Sequence, residues 1–336
     1  LLGSVAAAIG IIWLVIQLIR RKTGPAPAFV WSAVSLAIIG FVGVTVLSPS
    51  PAPVPEAFAG IAELDRYLED LTQSGGPPAI SLVVVKDGAM VYNKAFGMAD
   101  GPNGIPATPD SVYHWFSVTK IPTAVAALQL VEQGVISLDD EVREYLPFFN
   151  VEYPSADSQP ITIAHLLTHS SGLPDDIPAC MGCVHLEDAP ALNQTDLLRD
   201  EKLPRYNTLK FEPGSQAVYT NVGYHTLGVV VEQASGLSYE EYVQRNILDP
   251  LGMDNTRFEY TSAMKRNAAV GAHPMADFQS IFFPLIEAPW PSEYVRDYED
   301  GWAWFNRFLF DANPPSGLIG PCLLYTSDAA DEYHRV

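Results

Sequence analysis

The sequence predicts an α+β fold in which an antiparallel hairpin precedes a long, mainly helical region. Two β-rich runs, residues 80–85 and 90–96, are joined through Asp87-Gly88, a pair that tolerates the positive φ angles of a tight hairpin turn. Helical patterns dominate after the hairpin, without the regular alternation of strands and helices that a parallel sheet requires. These observations predict separate α and β regions instead of repeated βαβ units.

Two apolar segments come before this region. Residues 1–19 contain only two polar side chains, and residues 28–47 carry no charge. Each segment is long enough, as a helix, to cross about 30 Å of hydrocarbon, and the basic Arg-Arg-Lys loop between them is expected on the cytoplasmic side. We therefore predict two transmembrane helices within residues 1–47, with all that follows outside the membrane. A cleaved signal peptide, the competing interpretation, usually has one short apolar region.

Charge and cysteine content exclude several classes of protein. The net charge of −20 opposes binding to phosphate backbones, so nucleic acid is not an expected partner. Three cysteines are too few for a disulfide scaffold of this size. Cys180 and Cys183, with His185 nearby, have half the spacing of a zinc site, but no second pair follows. We predict no metal and no cofactor, and a local disulfide or two free thiols remain open for the pair.

The soluble part is predicted to begin after a proline-rich linker. Residues 48–55 alternate proline with small residues, a composition that gives a stiff, extended chain. The domain is predicted to span residues 56–321. Its first element is an amphipathic helix over residues 58–71, because apolar residues recur there at helical spacing and a Gly-Gly-Pro-Pro stop follows.

Four further helical segments follow the hairpin. A helix is predicted over residues 117–133, and Pro122 near its start predicts a 3₁₀-like first turn or a slight bend. Residues 162–168 predict a short helix and residues 222–235 a longer one that ends at a glycine. The capping box at residues 238–241 opens another helix. The middle of the chain is therefore predicted to form a helical subdomain.

A serine and a lysine three residues apart open the predicted long helix. Ser117-Val118-Thr119-Lys120 matches Ser-x-x-Lys, and this spacing places both side chains on one helix face. A nucleophilic serine needs a nearby amine to take its proton, and the N–H groups of a helix N-terminus favour a developing oxyanion. The same spacing recurs at Ser262 and Lys265, but no apolar helix follows there and we expect surface residues. Ser117 is the candidate nucleophile, and Lys120 is its partner.

Tyr219-Thr220-Asn221 strengthens this assignment. It is the only Tyr-x-Asn in the chain and comes directly before an apolar helical segment. A tyrosine hydroxyl near a lysine can relay a proton, and an asparagine amide can hold a substrate while it contacts the lysine. We predict that Tyr219 is catalytic and that Asn221 binds substrate.

With these residues, the sequence resembles the penicillin-binding protein and β-lactamase superfamily, in particular its branch of class C β-lactamases, D-alanyl-D-alanine peptidases and esterases. The resemblance covers residues 56–321 and implies a β-lactamase/transpeptidase-like fold, an antiparallel sheet flanked by helices with a helical subdomain. It rests on five segments: residues 80–88, 116–120, 166–174, 219–221 and 248–253.

The resemblance implies an acyl-enzyme mechanism. Ser117 attacks a carbonyl, Lys120 and Tyr219 manage the proton, Asn221 orients the substrate, and water releases the acyl group. The substrate is a small molecule or peptide, such as one derived from the cell wall, at the outer face of the bacterial cytoplasmic membrane. Peptide, β-lactam and ester substrates all remain open.

One expected feature is missing. The third motif of the superfamily, Lys or His two residues before a glycine on a late strand, does not follow Tyr219. We interpret this as a C-terminal truncation. Residues 322–336 fit nothing that should follow and resemble translated adapter sequence, so we predict a non-native tail there.

Other interpretations accompany this hypothesis. His169 lies in a hydroxyl-rich segment and is predicted to be a structural hydrogen-bonding residue rather than a catalytic base. The aromatic cluster at residues 290–310 is compatible with a substrate cleft, a lid or core packing. The second functional hypothesis is a catalytically silent binding or sensing domain. The complete set of four site residues favours the enzyme, because a binding domain does not need all four.

Overall fold

The structure, a computed structural model, describes residues 54–175, 184–274 and 293–322. Apart from Pro274, these residues belong to one compact unit. The predicted membrane helices lie outside the described residues, as do Cys180, Cys183 and nearly all of the predicted linker and tail. Within the described ranges, no helix has the length and apolar composition that crossing a membrane requires.

The described helices are numbered in chain order: α1 (Ile61–Gln73), α2 (Lys120–Glu132), α3 (Val142–Tyr145), α4 (Ile163–Leu167), α5 (Gln194–Asp196), α6 (Leu203–Tyr206), α7 (Asn221–Ser235), α8 (Tyr239–Val243), α9 (Ser262–Asn267) and α10 (Asn313–Ser316). The 3₁₀ turn Phe116–Thr119 leads into α2, and π-helical turns follow α5 and α8. The 3₁₀ turn confirms the local effect predicted for Pro122. The helices predicted from periodicity correspond to α1, α2, α4, α7 and α8.

The strands are short apart from the first two: β1 (Ala79–Lys86), β2 (Ala89–Asp100), β3 (Ile105–Pro106), β4 (Tyr113–His114), β5 (Val184–Leu186), β6 (Ala272–Pro274), β7 (Val295–Glu299), β8 (Trp302–Phe305), β9 (Phe308–Phe310) and β10 (Ile319–Gly320). They form small sheets with the orders β1-β2-β3, β4-β10, β5-β9 and β6-β8-β7. The pairings β1–β2, β2–β3, β4–β10, β5–β9 and β7–β8 are antiparallel, so they form no βαβ unit, as predicted. The segregation is not strict, because β5 lies between α4 and α5.

Strands β1 and β2 form the predicted antiparallel hairpin. Asp87 and Gly88 have φ angles of 53° and 74°, the left-handed values that a tight hairpin turn requires. Helix α1 is tied to the hairpin through the Asp65 carboxylate, which accepts from the Tyr92 hydroxyl and the Lys94 ammonium, each at 2.6 Å. The hairpin and α1 therefore form one local unit.

The core lies in the helical region around α7. Every residue from 221 to 231 is buried, so α7 is enclosed on all sides over its first three turns. Leu130 of α2 and Leu166 of α4 belong to the same core. The Thr220 hydroxyl accepts an N–H of the first turn at 3.3 Å, and Gly236 ends the helix with a φ of 73°. The Thr220 cap fixes where α7 begins, and the site residues lie at that N-terminal end.

Helix α10 and strand β10 are tied to the start of α2. Strand β10 pairs with β4, directly before the 3₁₀ turn. The Trp115 N–H donates to the Leu318 carbonyl at 2.9 Å, and the Leu318 N–H donates to the Thr119 hydroxyl at 3.2 Å. The Thr123 hydroxyl donates to the Pro314 carbonyl at 2.6 Å. These bonds place α10 beside the Ser-x-x-Lys segment.

Two aromatic residues of the cluster that the sequence left open are core residues. Trp304 and Phe305 of β8 are 3% and 6% exposed.

The neighbouring strand β7 carries Arg296, which donates to both carboxylate oxygens of Asp100 at the end of β2, at 2.5 and 3.0 Å. This ion pair links the hairpin to the late strands.

Candidate active site

The backbone before α2 presents the candidate nucleophile. Ser117 lies in the 3₁₀ turn and Lys120, three positions further along the tightly wound chain, is the first residue of α2. The Lys120 amino nitrogen lies 3.3 Å from Ser117 Oγ. Phe116 has a φ of 47°, a left-handed conformation that is uncommon for a residue with a bulky side chain. Strained backbone of this kind clusters at functional sites.

Tyr219 reaches the same serine oxygen. Its hydroxyl donates to Ser117 Oγ at 2.6 Å, and the Lys120 amino group lies over its ring, 4.6 Å from the centroid. Tyr219 is 43% exposed, whereas Lys120 is 7% exposed. The structure thus brings all three predicted catalytic residues together, with one proton-handling group facing solvent and the other enclosed.

Two carbonyl oxygens hold the amino group of Lys120. It donates to Asn221 Oδ1 at 2.7 Å and to the Pro315 carbonyl at 3.0 Å. The first acceptor comes from the start of α7 and the second from α10. A buried amine needs acceptors for its N–H groups. Because both acceptors are uncharged, they satisfy the N–H groups without requiring a positive charge on the nitrogen.

The side chain of Asn221 is buried among polar partners. While Oδ1 faces Lys120, Nδ2 donates to Asp175 Oδ1 at 3.1 Å, and the Asn221 backbone N–H donates to the same oxygen at 3.0 Å. The structure therefore brings Asn221 into the site next to the lysine. A substrate contact, the role predicted for Asn221, would use the second Nδ2 hydrogen.

His169 supports the segment that carries Tyr219. Its Nδ1 accepts from the Thr220 N–H at 3.2 Å, its carbonyl accepts from the Val218 N–H at 2.9 Å, and the His169 and Tyr219 ring centroids are 4.6 Å apart. Burial lowers the pKa of His169 below its ordinary value, and a charge on Lys120 acts in the same direction. The imidazole is therefore neutral at neutral pH and Nδ1 can accept. These bonds are the structural role predicted for this histidine.

Two contributors to the site were not predicted from the sequence. Asp175 directly follows the segment 166–174 that resembles the superfamily, and this adjacency was the available signal. Pro315 contributes a backbone carbonyl, which every residue possesses, so no side-chain pattern marks it.

The second Ser-x-x-Lys match lies away from this arrangement. Ser262 and Lys265 are both exposed on α9. The Lys265 amino group lies 3.4 Å from a carboxylate oxygen of Glu187. The prediction of surface residues is confirmed.

A known protein family matches the part of the chain that carries the site. The model of the beta-lactamase family matches residues 64–284, more than half of the chain. The chain belongs to the beta-lactamase family. The superfamily resemblance seen in the sequence, and with it the β-lactamase/transpeptidase-like fold, is confirmed.

Several known proteins resemble the chain over most of its length. Protein flp of Staphylococcus aureus strain N315 is 30% identical over 257 residues, which cover 75% of this chain and 49% of that protein. The octameric penicillin-binding protein homologue from Pyrococcus abyssi is 28% identical with a TM-score of 0.56, covering 77% of this chain and 53% of that chain. The D-amino acid amidase from Ochrobactrum anthropi SV3 is 25% identical with a TM-score of 0.59, covering 78% and 68%. The chain spans about half the length of the curated relatives it matches.

Proposed function

We propose that the chain is a serine hydrolase that forms an acyl-enzyme on Ser117 from a peptide, β-lactam or ester carbonyl. The observation that carries this proposal is the pair of groups at Ser117 Oγ, with the Tyr219 hydroxyl at 2.6 Å and the Lys120 amino nitrogen at 3.3 Å. Membership of the beta-lactamase family supports it, since related proteins include serine hydrolases and an amidase. Hydrolysis of an amide and of an ester share the same acyl transfer to a hydroxyl.

The contacts of Lys120 suggest how the proton moves. A neutral amine has two N–H groups and one lone pair. If the N–H groups donate to Asn221 Oδ1 and the Pro315 carbonyl, the lone pair is left to receive the proton of Ser117 as its oxygen bonds to the substrate carbonyl carbon. The leaving group departs with a proton from the Tyr219 hydroxyl, and Tyr219 regains one from Lys120. Water then hydrolyses the acyl-serine by the reverse transfer.

Covalent labelling tests this proposal. A fluorophosphonate or a β-lactam probe should add one mass increment to the full chain, at Ser117. We expect Ser117→Ala to abolish the adduct and Ser262→Ala to leave it unchanged, because Ser262 has the same motif spacing but is exposed on α9. The adduct is measured by intact-mass and peptide mass spectrometry.

Two results would contradict the assignment. Equal loss of labelling in both variants would show that Ser117 is not the specific site of acylation. The absence of any adduct on the full-length wild-type protein, across several probe classes, would favour the silent binding or sensing domain.

We further propose that the hydrolase domain lies outside the cytoplasmic membrane, tethered by the two apolar segments within residues 1–47, and that its substrate comes from the cell wall. The support is the sequence alone, with its basic loop between two uncharged spans. Protease added to intact spheroplasts should digest the domain while a cytoplasmic marker survives. Protection of the domain until the spheroplasts are lysed would refute the proposed location.

A further inference from the structure

Asp175 contacts Asn221, the residue whose side-chain oxygen accepts from Lys120. We propose that Asp175 is a positioning residue, which fixes the Asn221 amide so that its oxygen, and not its NH₂ group, faces Lys120. This inference rests on the proposed acyl transfer to Ser117.

The Asn221 amide can adopt two orientations, and a neighbouring group is needed to select one of them. The two ends of an asparagine side chain have nearly the same size, so packing alone does not distinguish them. With the amide rotated by 180°, its NH₂ group would face the Lys120 amine and could only donate to it. It would then oppose an N–H of the lysine or occupy the lone pair that the proposed mechanism reserves for the proton of Ser117. An ionised carboxylate only accepts hydrogen bonds. Asp175 therefore selects the Nδ2 end at 3.1 Å and leaves Oδ1 to accept from Lys120 at 2.7 Å.

Asp175 is itself held against α7. The same carboxylate oxygen accepts the backbone N–H of Asn221 at 3.0 Å, and the Thr220 hydroxyl donates to the neighbouring Pro174 carbonyl at 3.0 Å. Three hydrogen bonds thus join residues 174–175 to residues 220–221. A negative charge at the N-terminus of a 15-residue helix is also electrostatically favourable. The acceptor that orients Asn221 is therefore fixed relative to the helix that carries Asn221.

This orientation has a consequence at the serine. The direction of the Lys120 lone pair depends on where its two N–H groups point, and one of them points at Asn221 Oδ1. Without that acceptor, the amine is free to rotate away from Ser117 Oγ, which lies 3.3 Å from Lys120 Nζ. A small misalignment of a general base is enough to slow proton transfer strongly.

Two substitutions at Asp175 separate orientation from charge. Asp175→Ala removes the acceptor, and we expect labelling of Ser117 to slow by about 10- to 100-fold. Asp175→Asn removes the charge but keeps a carbonyl oxygen that can accept both bonds from Asn221. We expect it to restore labelling to within about fivefold of wild type, since a neutral acceptor makes a weaker bond than a carboxylate. Asp157→Ala and Asp157→Asn, at an exposed aspartate, are the matched controls and should label like wild type.

A spectroscopic measurement reports on the amide without any reaction. In ¹⁵N–¹H spectra of the deuterated full chain, the Asn221 Nδ2 proton bonded to Asp175 should be separated downfield from its partner. This separation should largely persist in Asp175→Asn and collapse in Asp175→Ala. A wild-type spectrum without it would overturn the proposal, whether or not the alanine variant folds.

The outcomes distinguish this inference from the proposed function. If the wild-type chain takes up no probe, the proposed function fails, while the amide spectrum still tests the placement of Asp175. Asp175→Ala labelled at the wild-type rate would refute the positioning role. So would slow labelling of that variant with an unchanged Asn221 amide signal, because the loss would then have another cause.

Discussion

In the proposed mechanism, Lys120 exchanges a proton while it is almost completely enclosed. Burial disfavours a charged amine, and the two carbonyl oxygens that accept its N–H groups do not require a charge. The hydroxyl of the exposed Tyr219 donates to Ser117 Oγ, and in the proposed mechanism it transfers a proton out of the site. At the scale of single residues, the proposed mechanism therefore depends on a nitrogen that can be neutral rather than on a permanent cation.

Lys120→Arg tests this requirement. Arginine keeps a cation of similar reach, but a guanidinium stays protonated and cannot receive the serine proton. We expect labelling of Ser117 to fall by at least about 100-fold, the lower range of general-base contributions. Lys265→Arg, at the same motif spacing on α9, is the control and should label normally. Rapid labelling of Lys120→Arg would mean that the lysine acts through charge alone.

The site residues that could be predicted from the sequence are those whose side chains form recognisable motifs. Ser117 and Lys120 are neighbours on one turn, so their proximity follows from local backbone geometry. Tyr219 and Asn221 were predicted from the only Tyr-x-Asn match, which precedes an apolar helix, and from the chemistry of their side chains. The superfamily resemblance then supported their place beside Ser117, because nothing local links these distant positions. The Pro315 carbonyl and the Asp175 carboxylate depend on how loops meet after folding. The small late sheets were missed as well, since strands of two to five residues carry little periodic signal.

At the scale of elements, the site depends on a close approach between α7 and α10. A Cβ atom on Gly228 of α7 would lie 2.2 Å from Pro314 Cγ and 2.3 Å from Pro314 Cβ, which is shorter than any real contact. Pro314 directly precedes the carbonyl that holds Lys120. Only glycine therefore lets α10 pack against α7 at the distance at which Pro315 reaches the lysine.

Gly228→Ala should accordingly affect the site as well as the fold. Overpacking costs about 1–3 kcal/mol of stability, and a shift of α10 removes an acceptor from Lys120. We expect a lower melting temperature together with slower labelling of Ser117, measured well below that temperature. Gly60→Ala, where an added Cβ meets no atom within 4 Å, is the control. Because Gly60 is the N-cap residue of α1, this change costs up to about 1 kcal/mol of stability, but it should leave labelling unchanged. Normal labelling by a destabilised Gly228→Ala would show that the contact serves packing only.

At the scale of the whole molecule, ion pairs join distant parts of the chain. Burial of Asp100 acts to raise its pKa, but the hydrogen bonds from Arg296 and Asn103 outweigh burial, and the pKa is lowered. The pKa of Glu187 is also lowered, mainly by its hydrogen bonds from Arg307. Such carboxylates stabilise the fold fully above the ordinary carboxyl pKa, and this stabilisation is lost as the pH falls through their lower folded values.

The free energy of unfolding should therefore decrease when the pH is lowered from about 5 to about 3. Asp100→Asn should be less stable at neutral pH by about 1–3 kcal/mol, because Arg296 loses the charge of its buried partner and keeps only its ion pair with Asp297. It should also lose less stability than wild type on acidification. Denaturant unfolding at several pH values measures both effects, with the exposed Asp157→Asn as a control that follows wild type. Parallel pH curves for wild type and Asp100→Asn would contradict the role given to this pair.

The hydrogen-bond acceptors of Lys120 are synthesised long after the lysine itself. Its two carbonyl acceptors lie 101 and 195 residues further along the sequence. Because a polypeptide emerges from its N-terminus, Ser117 and Lys120 leave the ribosome long before Asn221 and Pro315 exist. Closing such long loops is also slow in entropic terms. In the proposed mechanism, the nascent serine thus lacks a correctly held proton acceptor until the segments that carry Asn221 and Pro315 have docked.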